Sequence, residues 1–191
     1  MSGRMESLDR LLPQVLPQVA GCPVGMARDA LQLIASDFCK QTGVWEYEAL
    51  ELVAAGECRV PLRDLPKDAR PASVLRMTLD GAPVSQTAFS LGAGDIVLAA
   101  PLPRETELAA LVTLRPARYA EKLPEHIVEE WGDILVFGAL AKLKTMSGVN
   151  VLWSDPQGAQ INLTLYNEGI PAARTRMYRN RKGGGVLFAN A

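Results

Sequence analysis

The sequence predicts an α+β fold: a helical bundle that carries an inserted small antiparallel β-sheet or sandwich and ends in an extended C-terminal arm. Two apolar patterns predict this class. Apolar residues recur at helical spacing before residue 43 and after residue 123, whereas residues 44–115 alternate in the period of two that strands show. Because the β insert separates the helices in sequence, we expect the helices to meet in space.

A single domain is the expected organisation for a chain of 191 residues. We place it at residues 1–180, with helices within 5–42 and 124–180 and the β insert at 44–115. A flexible tail is expected at 181–191. The hydrophobic content of 48% is sufficient for a substantial core.

Composition and charge exclude several classes of function. The net charge of −1 provides no overall basic field for binding nucleic acid. Charged residues interrupt the N-terminus before any apolar run forms, so we expect no signal peptide. The cysteines, Cys22, Cys39 and Cys58, are odd in number and widely spaced. This usage is typical of reduced thiols in a cytosolic protein and matches neither a metal site nor a disulfide framework.

The stretch from Pro124 to Gly148 predicts the core helix. Pro124 suits the first helical turn, and Gly148 suits the stop. Acidic residues crowd the beginning of this stretch and lysines its end, which is the arrangement that the helix dipole favours. An apolar stripe runs along it, and we expect Trp131 and Ile134 of that stripe to be buried against a second helix within residues 26–42. The apolar part of this stretch is too short to span a bilayer, and the beginning of the stretch is too acidic.

Short elements are predicted for the rest of the N-terminal half. In residues 5–21 Pro13 and Pro17 allow only short helical pieces, whereas Gly43 ends a regular helix. The β insert contains five or six strands. The first has a change of phase at Ala49–Leu50 that predicts a β-bulge, and Asp80-Gly81 predicts a type I′ hairpin.

The C-terminal region carries the main electrostatic signal. A helix is predicted from Pro156, with a kink at Gly169 and Pro171. No acidic residue follows Glu168, while basic residues cluster before three glycines and an apolar tip. We predict that this arm docks on a protein partner, because arginine suits interface carboxylates and an apolar tip can fill a pocket. DNA is the alternative partner for the basic run, and a frayed end without a role is the alternative for the tip. The proposed contact residues are Arg174, Arg176, Arg179, Arg181, Lys182, Val186, Leu187 and Phe188.

Motifs for catalysis are missing from the sequence. His126 is the only histidine and has no cysteine or serine at a motif spacing. Glutamates beside it are already explained by their position at a helix start. Lys182 precedes three glycines, but the order of a phosphate-binding loop is absent. We therefore predict a protein that is not an enzyme, with no catalytic residue, no metal site and no cofactor.

Several stretches resemble the head-to-tail adaptor (connector) proteins of tailed bacteriophages. The first helix ends in the Phe-Cys-x-x-Thr pattern of that family, here Phe38, Cys39 and Thr42, and leads to Trp45 and the first strand. The stretch VTLRPAR and the core helix after it, like the late helix with spaced arginines, are similar to the family's last elements. The likeness covers most of residues 7–178. The chain departs from the pattern at Pro171 and again after Arg181.

The resemblance implies a structural virion protein at the portal–tail junction, assembled in the host cytoplasm. Such adaptors form homo-oligomeric rings, commonly of twelve copies, that bind the portal protein and present a platform to tail or nozzle proteins. DNA passes through without specific binding, and no membrane is involved. A lining of Glu125, Glu129, Glu130 and Asp133 would suit that channel, since carboxylates repel phosphates; a solvated helix start is the alternative. The alternative function is a cytosolic, non-enzymatic binding module that uses the β insert as its ligand face.

Overall fold

The computed structural model describes residues 4–149 and 151–183 and confirms the α+β class. The chain forms two compact units: a helical unit, Met1–Val44 with Arg118–Ala191, and a β unit, Trp45–Ala117. The predicted β insert at 44–115 matches the β unit to within two residues at each boundary. In the described part of the chain, no helix is long and apolar enough to cross a membrane.

The described residues form short helical pieces, three longer helices and a series of strands. In sequence order the elements are β1 (Met5–Ser7), a 3-10 helix (Leu8–Leu11), α1 (Leu12–Val15), a 3-10 helix (Leu16–Gln18), α2 (Val24–Thr42), β2 (Glu46–Val53), β3 (Arg59–Pro61), β4 (Ala69–Leu79), β5 (Ala82–Pro83), a 3-10 helix (Gln86–Ala88), β6 (Phe89–Leu91), β7 (Asp95–Leu98), β8 (Thr106–Pro116), β9 (Lys122–Pro124), α3 (Glu125–Lys144) and α4 (Pro156–Gly183).

The N-terminal segment of the helical unit consists of short helical pieces, as its prolines predict. Strand β1 pairs with β9 in antiparallel fashion. Pro13 lies in the first turn of α1, where N–H groups have no acceptor within the helix. The absence of an N–H in proline therefore costs no hydrogen bond there. The apolar side chains of Leu8, Val15 and Val19 are buried. The segment is therefore part of the core of its own unit.

Helices α2, α3 and α4 pack on one another in the helical unit. Gly43 ends α2 with φ of +66°, a conformation that glycine adopts without strain, and this stop is confirmed. The predicted stop of α3 at Gly148 is wrong. The helix ends at Lys144, where the Thr145 hydroxyl donates to the Lys142 carbonyl over 2.7 Å and so satisfies one of the last carbonyls.

The apolar stripe predicted along α3 is buried in part, since its members Ile127, Gly138 and Ala141 are buried. Trp131 and Ile134 are only half-buried, although the Trp131 ring lies 5.9 Å from the ring of Phe38 on α2. The largest fully buried side chains of α3 are distributed around the helix. They are Ile127, Leu135, Leu140 and Leu143.

Helix α4 is continuous from Pro156 to Gly183, so Pro171 does not end it and residues 181–183 of the predicted tail belong to the helix, while the rest of that tail lies outside the described residues. Proline at this position removes the hydrogen bond to the Asn167 carbonyl. Gly169 serves close packing, because a Cβ there would lie 2.6 Å from Cγ2 of Ile134. The two residues that predicted a kink are thus accommodated within the helix.

The β unit contains two antiparallel sheets. The four-stranded sheet has the order β2-β8-β4-β5, and the three-stranded sheet has the order β3-β7-β6. Both sheets contribute buried side chains, such as Met77 and Leu108 from the first and Val60 and Ile96 from the second. The hairpin at Asp80-Gly81 is confirmed, since both residues have positive φ and join β4 to β5.

Strand β2 keeps a regular register along its whole length. It pairs with β8 from Glu46 opposite Thr113 to Val53 opposite Thr106 without a shift, so the bulge predicted at Ala49–Leu50 is wrong. The register shifts lie in β4 instead. Alternation in β2 is strict, which buries Ala49 and Val53 and leaves Leu50 exposed.

Candidate interaction surfaces

No metal site is found in the part of the chain that the structure describes, where no three His, Cys, Asp or Glu side chains are grouped to hold an ion. His126 is exposed on the first turn of α3. Features suited to an interaction lie on four surfaces of the described residues: the basic end of α4, the acidic start of α3, a groove between helices and the outer face of the β unit.

Two arginines at the basic end of α4 bind the C-terminal end of α2. The Nε of Arg174 donates to the Gln41 carbonyl over 2.8 Å, and Nη2 of Arg181 donates to the Gly43 carbonyl over 3.4 Å. These carbonyls belong to the last turn and cap of α2, which have no partner within their own helix. A positive charge at a helix C-terminus also complements the dipole. Arg174 and Arg181 thus have a structural role within the helical unit.

The other predicted contact residues differ in their surroundings. Arg176 forms an ion pair with Glu130 on α3, with 2.6 Å between Nε and Oε1. Arg179 is exposed on α4. The side chain of Lys182 and the apolar tip, Val186, Leu187 and Phe188, lie outside the described residues. The structure therefore brings three of the five basic residues into contacts within the unit.

The acidic start of α3 is partly balanced by basic side chains. Glu125 lies 3.6 Å from Arg4, and Glu129 lies 3.9 Å from Arg10. Asp133 is exposed. Such exposed pairs contribute little to stability, about 0–1 kcal/mol each, but they reduce the negative field that these carboxylates would present to DNA.

An open groove of about 680 Å³ runs between α2, the second half of α3 and the first half of α4. Leu33 and Leu163 lie on its walls with exposed side chains. Gly138 lies between α2 and α4, where a Cβ would meet Ile34 at 2.5 Å and Tyr166 at 2.8 Å. The absence of a side chain at this position allows the three helices to approach closely.

A polar cluster at this groove was not predicted from the sequence. Asp37 Oδ2 accepts a hydrogen bond from the Tyr166 hydroxyl over 2.9 Å and from the Gln41 amide over 2.6 Å. Burial, together with the bond to Asp37, holds the pKa of Tyr166 well above its usual value. No periodicity signals this cluster, because Asp37 and Tyr166 lie 129 positions apart in the chain.

No family model matches the sequence, and no curated protein matches it. A functional proposal for this chain therefore rests on its residue patterns and on the surfaces of its two units.

Proposed function

We propose that the chain is a ring-forming head-to-tail adaptor of a tailed bacteriophage, a structural virion protein without enzymatic activity. In this role it joins the portal to the tail and extends the DNA channel. The observation that carries the proposal is the organisation of the chain. Helices from both ends form one compact unit, and an antiparallel β unit is inserted between them, which is the order of elements that the resemblance implies.

The residues that carry the resemblance support the same interpretation through their structural roles. Phe38 and Cys39 are fully buried in α2. The Thr42 hydroxyl donates to the Phe38 carbonyl over 2.6 Å in the last turn of that helix. Trp45 is buried at the start of the β unit. The shared pattern therefore consists of core and helix-end residues, as expected of a pattern that defines a fold.

Contact with the portal is assigned to the end of α4 and the tail that follows it. Arg179 is exposed there, and the chain continues into three glycines and the apolar tip. A single arm would bind weakly, because exposed ion pairs contribute about 0–1 kcal/mol each. A ring strengthens the attachment, since one docked subunit holds the arms of its neighbours at high effective concentration.

The channel-lining role of the acidic start of α3 is part of the same proposal. Moving DNA requires a lining that does not hold phosphates, and carboxylates meet that requirement. Asp133 is the most suitable of the four acids, because it is exposed and Glu125, Glu129 and Glu130 each have an arginine within 4 Å. A ring structure with Asp133 on its outer surface would contradict this part of the proposal.

A second candidate function is a monomeric or dimeric binding module that uses the β unit as its ligand face. The observation in its favour is a pair of exposed leucines, Leu50 and Leu52, on the outer face of the four-stranded sheet. Exposed apolar residues grouped in this way mark interaction sites. They fit a neighbouring subunit as well as a separate ligand.

Native mass spectrometry of the purified chain, alone and mixed with purified portal, tests the proposal. An adaptor is expected to give a closed ring of defined copy number, commonly twelve, that binds the portal. A chain that stays monomeric or dimeric and does not bind the portal would support the binding module instead.

A further inference from the structure

Among the residues that the structure describes, the four-stranded sheet of the β unit has two open edges. Strand β2 forms one of them and pairs with β8 along its eight residues. At the other edge β5 pairs with Thr78 and Leu79 of β4, and the Val84 N–H donates to the Met77 carbonyl over 3.0 Å. The rest of β4, residues 69–76, has no paired strand on that side in the described part of the chain, although Pro71 has no N–H to donate and the register shifts twice along it. Both edges therefore present backbone N–H and C=O groups that another strand can pair with.

Strand β2 lacks several of the features that protect an edge. Its sequence, EYEALELV, contains no lysine or proline and its register has no bulge, so its glutamates are the protection that it carries. Leu50 and Leu52 are 66% and 67% exposed on the outer face. On β8 the neighbouring residues of the same face are Ala109 and Leu111, and the exposed Glu107 lies opposite Leu52. A short apolar patch bounded by Glu107 therefore lies beside the open edge.

The charges on the two edges are of opposite sign. Strand β2 carries Glu46 and the exposed Glu48 on its outer face, whereas Glu51 lies on the inner face and pairs with Arg63. The open part of β4 carries the exposed Arg70 and Arg76. Pairing β2 with the β2 of a second copy would bring glutamates together, which is unfavourable in neighbouring strands. Pairing β2 with β4 brings carboxylates to guanidinium groups.

We propose that β2 of one copy adds to the open edge of β4 in the next copy, so that the four-stranded sheets continue from subunit to subunit. The contact uses two different surfaces of the same chain. Repetition of such a head-to-tail contact gives a ring when the rotation closes, whereas a contact between two identical surfaces stops at a dimer. The inference rests on the proposed adaptor function and identifies the contact that closes its ring.

Two double variants test the two sheet edges separately. Leu50→Lys with Leu52→Lys places lysines on β2, while Arg70→Glu with Arg76→Glu reverses the charge of the β4 edge. All four side chains are exposed, so the fold is expected to persist, as circular dichroism and urea unfolding will show. Leu152→Lys is the matched control, because Leu152 is an 85% exposed leucine of the helical unit.

Analytical ultracentrifugation at concentrations up to about 1 mM measures the assembly. The wild type and the Leu152→Lys control are expected to form species larger than dimers, and each double variant alone is expected to remain monomeric. An equimolar mixture of the two double variants is expected to give dimers and nothing larger. In that mixture one chain retains a functional β2 edge and the other a functional β4 edge, so only one contact per pair can form.

Hydrogen exchange provides a second readout. The amides of β2 that face its open edge should gain at least about tenfold protection when the wild type assembles, since they acquire hydrogen bonds. Dimers formed by the Arg70→Glu/Arg76→Glu chain alone would show that β2 pairs with itself and would overturn the inference. A wild type that remains monomeric throughout would also overturn it. Normal assembly of both double variants would place the ring contact elsewhere, and the adaptor proposal would stand.

Discussion

The hydroxyl of Tyr166 on α4 donates a hydrogen bond of 2.9 Å to Asp37 Oδ2 on α2. The Tyr166 ring also lies 6.4 Å from the ring of Phe38 on α2, at an interplanar angle of 53°. One residue thus joins the last helix of the chain to the first long helix through both a polar and an aromatic contact. Since these helices come from opposite ends of the sequence, this contact contributes directly to the closure of the helical unit.

Replacing Tyr166 with phenylalanine removes the hydrogen bond and keeps the ring. We expect the free energy of unfolding to fall by about 1–3 kcal/mol, because hydrogen bonds to a charged acceptor lie in that range. Urea unfolding at neutral pH measures the change. Tyr119→Phe is the control, since Tyr119 is exposed and should change stability very little. Equal stability of Tyr166→Phe and the wild type would mean that the bond contributes nothing in solution.

The same residue predicts a loss of stability at alkaline pH. The usual pKa of a tyrosine is 10.0, and that of Tyr166 is raised by burial first and by its bond to Asp37 second. The neutral hydroxyl is therefore favoured in the folded state. Its contribution is complete below pH 10 and is lost as the pH rises further. Unfolding midpoints measured from about pH 9 to about pH 11 should decline less steeply in Tyr166→Phe than in the wild type.

Substitution of Gly138 tests the close packing of the three helices. In Gly138→Ala the added methyl would meet Ile34 at 2.5 Å and Tyr166 at 2.8 Å, so we expect destabilisation of about 1–3 kcal/mol from overpacking. Gly25→Ala is the matched control in α2, where an added Cβ meets nothing within 4 Å. The control should be neutral or more stable by up to about 1 kcal/mol, because alanine favours the helix. Equal effects of both substitutions would contradict the packing at Gly138.

Local sequence signals predicted the structure correctly where one or two residues determine the backbone angles. Gly43 ends α2 and Asp80-Gly81 forms the hairpin, because both require backbone angles that neighbouring residues cannot override. The bulge in β2 was predicted wrongly for a different reason. Periodicity cannot distinguish an apolar residue of the core from one that faces outward, and Leu50 is of the second kind.

Signals that depend on distant residues could not be read from the sequence. The spacing of Arg174 and Arg181 showed a basic helix end. Their acceptors at Gln41 and Gly43, however, lie 133 and 138 positions away. The burial of Trp131 was overestimated because its position on the α3 stripe does not show how α2 and α4 cover that stripe. Long-range packing decides these cases, and no local rule replaces it.

Two truncations separate the structural and docking roles of the C-terminal end. A chain ending at Gly183 keeps all of α4 and the bond from Arg181 to the Gly43 carbonyl, but lacks the apolar tip. A chain ending at Asn180 also loses that bond. We expect the first chain to unfold at the same urea concentration as the wild type and to bind purified portal at least about tenfold more weakly, because the tip is the proposed anchor. The second chain should also be less stable, by about 1 kcal/mol, the contribution of one such bond.

Loss of portal binding only in the second chain would assign docking to the basic helix end. Unchanged attachment of both chains, with unchanged particle yield, would show that the arm does not dock on the portal.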